Sequence, residues 1–384
     1  MPVTIGALKE SAPQETRVSL TPEIAAKLAK EGAQVLVERG AGERASFPDS
    51  AYKNVTWAEG PEPVLAAADV LLAVQPLTVA QIGQLKPSAV VIGFMQPHAR
   101  AAEVRALEQR GLTAFAMELV PRISRAQSMD ALSSQAAIAG YKAVLIAASQ
   151  LQKFFPMLTT AAGTIRPSQV LVIGAGVAGL QAIATARRLG AVVSAYDLRP
   201  VVKEQVQSLG ARFVELPLEV ADAQDAGGYA KAQDEAFYKR QRELLGKVIA
   251  ESDVVITTAV VPGKKSPVLV TKEMVAAMAP GSVIVDLAAE RGGNCELTRP
   301  EETVVEHGVT IVGMINLAST VPYHASQVYA KNLANFLAPL VKDGKLQLKM
   351  EDEIVRSTLI TQDGEIVNQR VREFYNLPAL APAH

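Results

Sequence analysis

The chain has 384 residues, of which 49% are hydrophobic, so it is long enough for two domains with buried cores. The 38 basic residues are balanced by 39 acidic ones, which argues against nucleic acid as the main partner because no basic excess is available to neutralise phosphates. The single cysteine, Cys295, excludes an internal disulfide and is typical of a reducing compartment.

The N-terminal residues give no sign of a signal peptide, because Met1 and Pro2 lead directly into an apolar segment without a preceding charged region. The most apolar helical stretch, 136–151, is interrupted by Lys142 and falls short of the roughly 20 residues that a membrane-spanning helix needs. We therefore expect a chain that is not integral to a membrane but that can dock on a membrane protein.

Strand-like and helix-like segments alternate in the N-terminal half of the chain, which is typical of a doubly wound α/β domain. Thr21 and Pro22 predict the start of the first helix, with threonine as the cap and proline at the first helical position. A later helix is predicted at Ala99–Arg110, and strands are predicted at Val3–Ala7, Gln34–Glu38, Asp69–Val74, Ala89–Gly93 and Leu112–Ala116. This pattern has no glycine-rich phosphate turn.

A polar stretch, Pro121–Asp130, precedes a long helix that we predict to run to about Phe155 and to stop at Pro156, as a bridge between domains. The second α/β region has predicted strands at Val170–Ile173, Val192–Tyr196, Arg212–Glu215, Asp253–Ala259, Ser282–Asp286 and Thr310–Gly313. A helix at Tyr323–Leu340 leads into a hairpin-like tail with its turn at Asp363-Gly364.

These elements predict an α/β fold with two doubly wound Rossmann-like domains and a cleft between them. The N-terminal domain is expected to comprise residues 1–132 plus 320–384, because the tail is expected to return to it, and the second domain residues 133–319. Clefts at such junctions are usual places for small-molecule sites.

The second region carries a Rossmann dinucleotide turn between a strand and a helix, and this context makes the pattern informative. Val170–Ile173 leads into the run 174–179, Gly-Ala-Gly-Val-Ala-Gly, and a helix is predicted over Leu180–Leu189. Gly174 makes the tight turn, Gly176 lets the backbone approach a pyrophosphate, and Gly179 lets helix and strand pack closely. Free amides at the helix N-terminus then receive the negative charge.

The next strand ends at Asp197, close to the spacing of about 20 residues expected for the carboxylate that binds the ribose 2′-hydroxyl. A carboxylate there repels a 2′-phosphate, so NAD(H) is the predicted cofactor. Arg199 leaves the alternative open, because a nearby arginine can accept the 2′-phosphate of NADP.

The segment from Arg122 to Ser133 concentrates polar side chains beside the predicted domain junction. It is either a solvated loop, with Ser128 or Asp130 capping the following helix, or a segment of a ligand site. The residue types alone leave both interpretations open.

Several runs of the sequence closely resemble the soluble NAD(H)-binding component (domain I, carried by the alpha subunit) of the proton-translocating NAD(P)+ transhydrogenase family, which is related to alanine dehydrogenase. They are Ala116–Asp130, Ala162–Thr164, Val177–Ala186, Ala226–Lys231 and Gly292–Cys295. The resemblance covers essentially the whole chain, and because the chain stops at His384 it looks like the separate soluble subunit rather than one fused to membrane segments.

The resemblance implies a reaction in which NADH passes a hydride directly to NADP+ held on a partner subunit. A membrane-spanning subunit couples this transfer to proton movement. The resemblance further implies a homodimer that is cytoplasmic and peripheral to the inner (plasma) membrane through its partner subunits.

The resemblance also implies which residues form the site. Asp130 and Ser133 would hold the carboxamide and ribose of NAD(H), Gln127 would reach the NADP(H) ribose, and Arg122 would steady the loop and the cofactor phosphates. Ser128 and Met129 lie between them as further contacts. In the Rossmann half the implied contacts are Val177 over the pyrophosphate, Asp197, Leu198 and Arg199 around the adenosine, Gly228 and Tyr229 in a closing loop, Gln241 on the helix behind it, and Val260 against the cofactor.

Two other functions remain open. Alanine dehydrogenase needs a lysine and a histidine in its first domain, and the matching stretches here, Leu72–Leu77 and Val91–Gln96, hold neither. A catalytically silent NAD-binding module would explain the Rossmann turn but not the polar loop. Hydride transfer between two nicotinamides needs positioning rather than an acid–base pair, and no metal site is expected because His307 and His324 lack a second ligand at metal spacing.

Overall fold

The computed structural model describes residues 2–217, 233–261, 265–342 and 345–380. The chain divides into two compact units: unit 1 comprises Met1–Gln135 with Ser319–His384, and unit 2 comprises Ala136–Ala318. Each unit is built from helices and a mostly parallel sheet, which confirms the predicted α/β, Rossmann-like class.

Unit 1 begins with alternating strands and helices, because short apolar runs are separated by turns rich in glycine and proline. The elements are β1 (Thr4–Ala7), α1 (Pro22–Lys30), β2 (Gln34–Glu38), β3 (Thr56–Ala58), α2 (Pro61–Ala67), β4 (Val70–Leu72), α3 (Val79–Gln84), β5 (Val90–Gly93), α4 (Ala101–Gln109) and β6 (Thr113–Ala116). Thr21 stands at the N-cap of α1, but its hydroxyl caps no amide of the described residues. Thr21 and Pro22 therefore take the predicted N-cap and first helical positions, and Pro22, whose φ is already helical, starts the helix without a hydroxyl cap.

The next helix, α5 (Ala131–Gln150), ends before the predicted stop at Pro156. Phe155 precedes a proline, and this position disfavours helical backbone. The Phe155 side chain packs in the core of unit 2, and its carbonyl accepts a hydrogen bond from the Ser168 amide at 3.1 Å. The prediction that the helix continues to Phe155 is wrong because tertiary packing ends it earlier.

Unit 2 contains the second sheet and a separate hairpin. Its elements are β7 (Leu158–Thr160), β8 (Gly163–Ile165), β9 (Gln169–Ile173), α6 (Val177–Arg188), β10 (Val192–Tyr196), α7 (Lys203–Ser208), β11 (Arg212–Phe213), α8 (Glu235–Ala250), β12 (Val254–Thr257), α9 (Lys272–Ala277), β13 (Val283–Asp286), β14 (Thr303–Glu306) and β15 (Val309–Val312). The sheet has the order β11-β10-β9-β12-β13-β15-β14, with β14 antiparallel to β15 and the other pairs parallel. Helix α6 begins at Val177 rather than at Leu180, and β11 and β12 are shorter than predicted.

The C-terminal tail adds two strands to the sheet of unit 1. Its elements are α10 (Pro322–Leu337), β16 (Val341–Lys342), β17 (Lys345–Leu346), α11 (Glu353–Thr358), β18 (Leu359–Gln362), β19 (Glu365–Ile366) and α12 (Gln369–Phe374). The sheet order is β19-β18-β6-β5-β4-β1-β2-β3, and β18 runs antiparallel to β6 and to β19. Asp363 and Gly364, with φ of 49° and 82°, form the predicted hairpin turn, whose two central residues need positive φ.

Side chains of the central strands alternate between core clusters on the two faces of each sheet. In β4, Leu72 belongs to one cluster of unit 1 and Leu71 to the other. In β9, Val170 and Leu171 divide in the same way between the clusters of unit 2. Because both faces are apolar, the polar groups that can bind ligands gather at the strand ends.

Within the described ranges, α5 is a helix long and apolar enough to cross a membrane by length and composition. Ala143, Val144 and Ala147 of this helix pack in the core of unit 2, and 33% of its apolar window is buried. A single helix of this kind is weak evidence for a membrane span, because core helices pass the same test.

Candidate functional site

The glycine turn lies at the switch point of the unit 2 sheet, between β9 and β12, where ligands of doubly wound sheets bind. Gly174 has φ of 100°, and a Cβ there would lie 2.4 Å from Thr258 Oγ1. A Cβ on Gly179 would lie 1.8 Å from the Gly174 carbonyl oxygen, so α6 can approach β9 only through a glycine. No described atom beyond its chain neighbours lies within 4 Å of a Cβ built on Gly176, so the backbone there is open.

Thr258 carries no motif in the sequence, yet it supports this turn. Its hydroxyl donates to the Gly174 carbonyl at 3.0 Å. Its position directly after a buried strand at the switch point is the signal that could have identified it.

Asp197, the expected ribose ligand, is held by groups of the protein. Its Oδ2 accepts a hydrogen bond from the Ala175 amide at 2.7 Å, so the carboxylate also fixes the glycine turn. Arg199 donates to Oδ1 through its amide at 2.8 Å and its Nε at 2.9 Å, and to Oδ2 through Nη2 at 2.9 Å. The side chains of Asp197 and Arg199 are only 6% and 13% exposed, so they form a largely buried ion pair.

Gln241 lies buried behind the same strand ends. Its Nε2 donates to the Tyr196 hydroxyl at 2.8 Å, while no described group donates to its Oε1. Burial raises the pKa of Tyr196 to about 12, so this hydroxyl stays neutral at physiological pH. Gln241 Oε1 is therefore a buried acceptor without a described donor.

The other predicted contacts of unit 2 differ in accessibility. Val177 is 40% exposed at the first position of α6. Leu198 and Val260 are half-buried after β10 and β12. Gly228 and Tyr229 lie outside the described residues.

The polar loop of unit 1 forms a short 3₁₀ helix, Ser124–Met129, ahead of α5. Asp130 Oδ1 accepts the Ser133 amide at 2.9 Å, and Oδ2 accepts the Ser133 hydroxyl at 2.6 Å. Asp130 therefore caps α5, as one of the two sequence interpretations predicts, and holds Ser133 in one geometry. Arg122 and Gln127 are exposed on the loop.

Helix α10 anchors this loop through two asparagines. Asn332 and Asn335 both donate from Nδ2 to the Ser128 carbonyl, at 2.9 and 3.0 Å. Asn332 also accepts a hydrogen bond from the Ser134 hydroxyl at 2.7 Å. Ser128 and Met129 thus belong to a backbone segment whose position within unit 1 is set by α10.

A buried acidic cluster occupies the switch point of the unit 1 sheet, after β1 and β4. Glu10 accepts the Val74 and Gln75 amides at 2.6 and 3.2 Å, and burial raises its pKa to about 7. Burial acts in the same direction on Glu15, but hydrogen bonds and the charge of Arg17 lower the pKa of Glu15 to about 2. The cluster joins the segment after β1 to the end of β4. Glu10 and Glu15 stand apart in the sequence, so the sequence did not indicate that they form a cluster.

The fold and the glycine turn define a chain of two Rossmann-like domains with a dinucleotide pattern in the second. Models of the alanine dehydrogenase/PNT family match it, with the N-terminal domain over residues 6–139 and the C-terminal domain over residues 143–369. The chain belongs to this family.

Within the family, the chain is clearly similar to transhydrogenase subunits. It is 47% identical to a protein of Rickettsia prowazekii (strain Madrid E) that is named as the first portion of the NAD(P) transhydrogenase subunit alpha, over 97% of this chain and 98% of that protein. It is 50% identical to the protein of the same name from Rhodospirillum rubrum, over 94% and 96%. The crystal structure of transhydrogenase from Sinorhizobium meliloti matches with a TM-score of 0.84 and 43% identity, covering 96% of this chain and 99% of that chain.

Similarity to alanine dehydrogenases is lower. The enzyme of Mycobacterium tuberculosis (strain ATCC 25618 / H37Rv) is 28% identical over 99% of this chain and 98% of that protein. A solved L-alanine dehydrogenase matches with a TM-score of 0.82 and 25% identity, over 97% and 99% of the two chains. These findings confirm the resemblance recognised in the sequence, in which alanine dehydrogenase is the more distant relation.

Proposed function

We propose that this chain is the NAD(H)-binding subunit of a proton-translocating NAD(P)+ transhydrogenase, in which hydride passes directly between NADH on this chain and NADP+ on a partner subunit. The observation that carries the proposal is the glycine turn at the switch point of unit 2, with open backbone at Gly176 and a carboxylate, Asp197, ending the next strand. High identity to proteins named as transhydrogenase subunits supports this reaction over other uses of the cofactor.

NAD(H), when bound, supplies the hydride chemistry, and the residues of this chain bind and orient it. Transfer between like carbons leaves no proton for a side chain to take up, so the site needs orientation rather than a titrating group. The amides at the start of α6 receive the pyrophosphate, and the buried Gln241 Oε1 can accept a hydrogen bond. The residues proposed for this half are Gly174, Gly176, Val177, Gly179, Asp197, Leu198, Arg199, Gln241 and Val260.

For the nicotinamide half, the proposed residues belong to the polar loop of unit 1. Asp130 and Ser133 hold the carboxamide and ribose, and their two mutual hydrogen bonds preorganise them for this role. Gln127 reaches the NADP(H) ribose on the partner subunit, and Arg122 steadies the loop and the cofactor phosphates. Ser128 and Met129 complete the loop contacts, on backbone that Asn332 and Asn335 anchor.

The proposed partners are an NADP(H)-binding subunit and a membrane-spanning subunit, in keeping with relatives that are named as one portion of a transhydrogenase subunit. Their membrane attachment would place this chain on the cytoplasmic side, peripheral to the inner (plasma) membrane. Proton translocation then belongs to the membrane-spanning subunit, and this chain contributes the hydride donor.

A homodimer also belongs to the proposal. All residues of β7 and β8 are exposed, and Phe154, Met157 and Ile165 on or beside this hairpin are 54%, 63% and 43% exposed. Exposed apolar side chains close together in the sequence are candidates for a protein–protein contact. A second copy of this chain is the occupant that we propose for it.

The test begins with NADH titration of the isolated chain, followed by nicotinamide fluorescence; no binding would remove the proposal. With the partner subunits added, hydride transfer from NADH to an oxidised NADP analogue is then measured. Gln127→Asn should bind NADH normally but slow the transfer about tenfold or more, because a shortened side chain misplaces the second ring. Binding without transfer would favour a silent NAD-binding module, and L-alanine oxidation by the chain alone would favour alanine dehydrogenase.

A further inference from the structure

We propose that Asn294 is a positioning residue for NADH, acting through the backbone segment that follows β12 beside the glycine turn. This inference rests on the proposed NAD(H) binding. Asn294 lies in the loop after β13 and is completely buried, with 0% exposure. A buried asparagine in a loop needs partners for its amide, and the identity of these partners indicates its role.

The Asn294 side chain binds Ala259 at both of its backbone groups. Its Oδ1 accepts the Ala259 amide at 2.9 Å, and its Nδ2 donates to the Ala259 carbonyl at 2.8 Å. Nδ2 also donates to the Pro267 carbonyl at 2.9 Å, farther along the same connection. Since β12 ends at Thr257, the side chain supplies the hydrogen bonds that a neighbouring strand would otherwise provide.

Asn294 is itself held by the carboxylate of Asp286, the last residue of β13. Asp286 Oδ2 accepts the backbone amides of Asn294 and Cys295 at 2.7 and 3.0 Å and the Thr298 hydroxyl at 2.7 Å. Its Oδ1 accepts the Thr257 hydroxyl at 2.9 Å. One buried carboxylate therefore joins the end of β12 to the loop that carries Asn294, and the frame around Ala259 is rigid.

The segment that Asn294 fixes borders the proposed pyrophosphate site. Thr258 donates to the Gly174 carbonyl, and a Cβ on Gly174 would lie 3.4 Å from the Ala259 amide nitrogen. Val260, proposed to pack on the cofactor, follows Ala259 directly and is half-buried. Asn294 therefore sets where Val260 stands before the cofactor arrives, which lowers the entropic cost of binding.

Asn294→Ala is the test, and Asn368→Ala is its matched control. Asn368 of unit 1 is also a buried asparagine whose Nδ2 donates to two carbonyls, those of Ser357 and Leu359, at 2.9 and 3.0 Å. Both substitutions delete comparable buried hydrogen bonds and should lower the Tm. Asn294→Ser serves as a milder variant that leaves room for a bridging water.

For Asn294→Ala, the NADH dissociation constant should rise about tenfold, and deuterium exchange of the peptide that contains residues 259–261 should increase. Asn294→Ser should show the same changes to a smaller extent. Asn368→Ala should change the NADH dissociation constant less than about twofold. Folded Asn294 variants with wild-type NADH affinity, or with weakened affinity but unchanged exchange at 259–261, would overturn the positioning role while the proposed function stands. A wild-type chain that fails to bind NADH would remove both.

Discussion

The carboxylate of Asp197 and the guanidinium of Arg199 bear directly on the choice between NAD(H) and NADP(H). The guanidinium donates to the carboxylate from Nε and Nη2, the Arg199 backbone amide adds a third hydrogen bond, and the pair is largely buried. A 2′-phosphate would need Arg199 to leave this pair and would meet the charge of Asp197. In the proposed site this ion pair would thus favour a ribose hydroxyl over a 2′-phosphate, because Asp197 already occupies the cation that could bind phosphate.

We predict that Asp197→Asn shifts the ratio of NADPH to NADH affinity about tenfold toward NADPH, because it removes the repelling charge and frees Arg199. The asparagine keeps an oxygen for the Ala175 amide, so the glycine turn is retained. Fluorescence titration with both nucleotides measures the effect. In Asp197→Asn/Arg199→Ala the gain should disappear, and a double variant that keeps it would contradict the role given to Arg199.

A second residue-scale prediction concerns the buried Glu10. Its folded pKa of about 7 lies above the ordinary 4.5, so the folded chain binds this proton more tightly than the unfolded chain. The resulting stability is fully present below pH 4.5 and is lost as the pH rises through about 7. As the pH rises from 4.5 to about 7, wild type loses this stability and Glu10→Gln does not. The free energy of unfolding of Glu10→Gln should therefore rise by about 3 kcal/mol relative to that of wild type over this range.

Urea unfolding measures this effect through the fluorescence of Trp57, the single tryptophan, which lies in unit 1. The exposed Glu365 of the same unit supplies the control, and Glu365→Gln should differ from wild type by a constant amount over this pH range. A difference between Glu10→Gln and wild type that does not change with pH would show that Glu10 carries its charge in the folded chain.

Backbone conformation, more than space, decides the effect of glycine substitutions in two elements of unit 1. Around Gly83 in α3 no described atom lies within 4 Å of an added Cβ, and around Gly364 the nearest is the Glu108 carbonyl oxygen at 3.8 Å. We predict that Gly83→Ala stabilises unit 1 by about 0.5–1 kcal/mol, since alanine lowers the entropy of the unfolded chain. Gly364→Ala should destabilise it by about 1 kcal/mol, because φ is +82° there. Urea unfolding followed by Trp57 compares them, and changes of the same sign would contradict the argument.

The bounds of an element could be predicted where its sequence pattern is local, but not where a residue far away in the chain ends the element. Strand β10 and strand β2 have the predicted bounds, because their apolar runs stop at turn residues. Strand β12 was predicted to continue to Ala259, but the Asn294 side chain takes the backbone hydrogen bonds of that residue. Helix α5 ends early because Phe155 packs in the core of unit 2.

At the scale of the whole molecule, the exposed hairpin of β7 and β8 supports the proposed dimer. We predict that Met157→Glu and Ile165→Lys each convert a dimer into a monomer, because each buries an unpaired charge in the apolar contact. Light scattering at micromolar concentration measures the mass. Val201→Glu is the control, since Val201 is 68% exposed but lies away from the hairpin in the sequence. A wild-type chain that is monomeric at this concentration would make the dimer wrong.

Some residues of the candidate site could be predicted from the sequence, and others became visible only in the structure. Gly174, Gly176 and Gly179 could be recognised because a tight turn and a close helix–strand contact leave a spacing that can be read along the chain. The roles of Gln127 and Ser133 came from the family resemblance, and composition left their loop open. Thr258 carried no motif, and Asn294 belongs to the resembling run Gly292–Cys295 but had no role assigned to it. Their roles depend on the backbone groups that they bind, and these became visible only in the structure.

The amino-acid sequence by itself determined the two α/β patterns, the dinucleotide turn and the Asp363-Gly364 hairpin, since each depends on periodicity or on backbone conformation within a few residues. Only the tertiary structure decided that Asp197 pairs with Arg199 while holding the glycine turn, and that Asn294 completes the end of β12. These contacts depend on side-chain direction and on residues far apart in the chain, and neither is encoded in a local pattern.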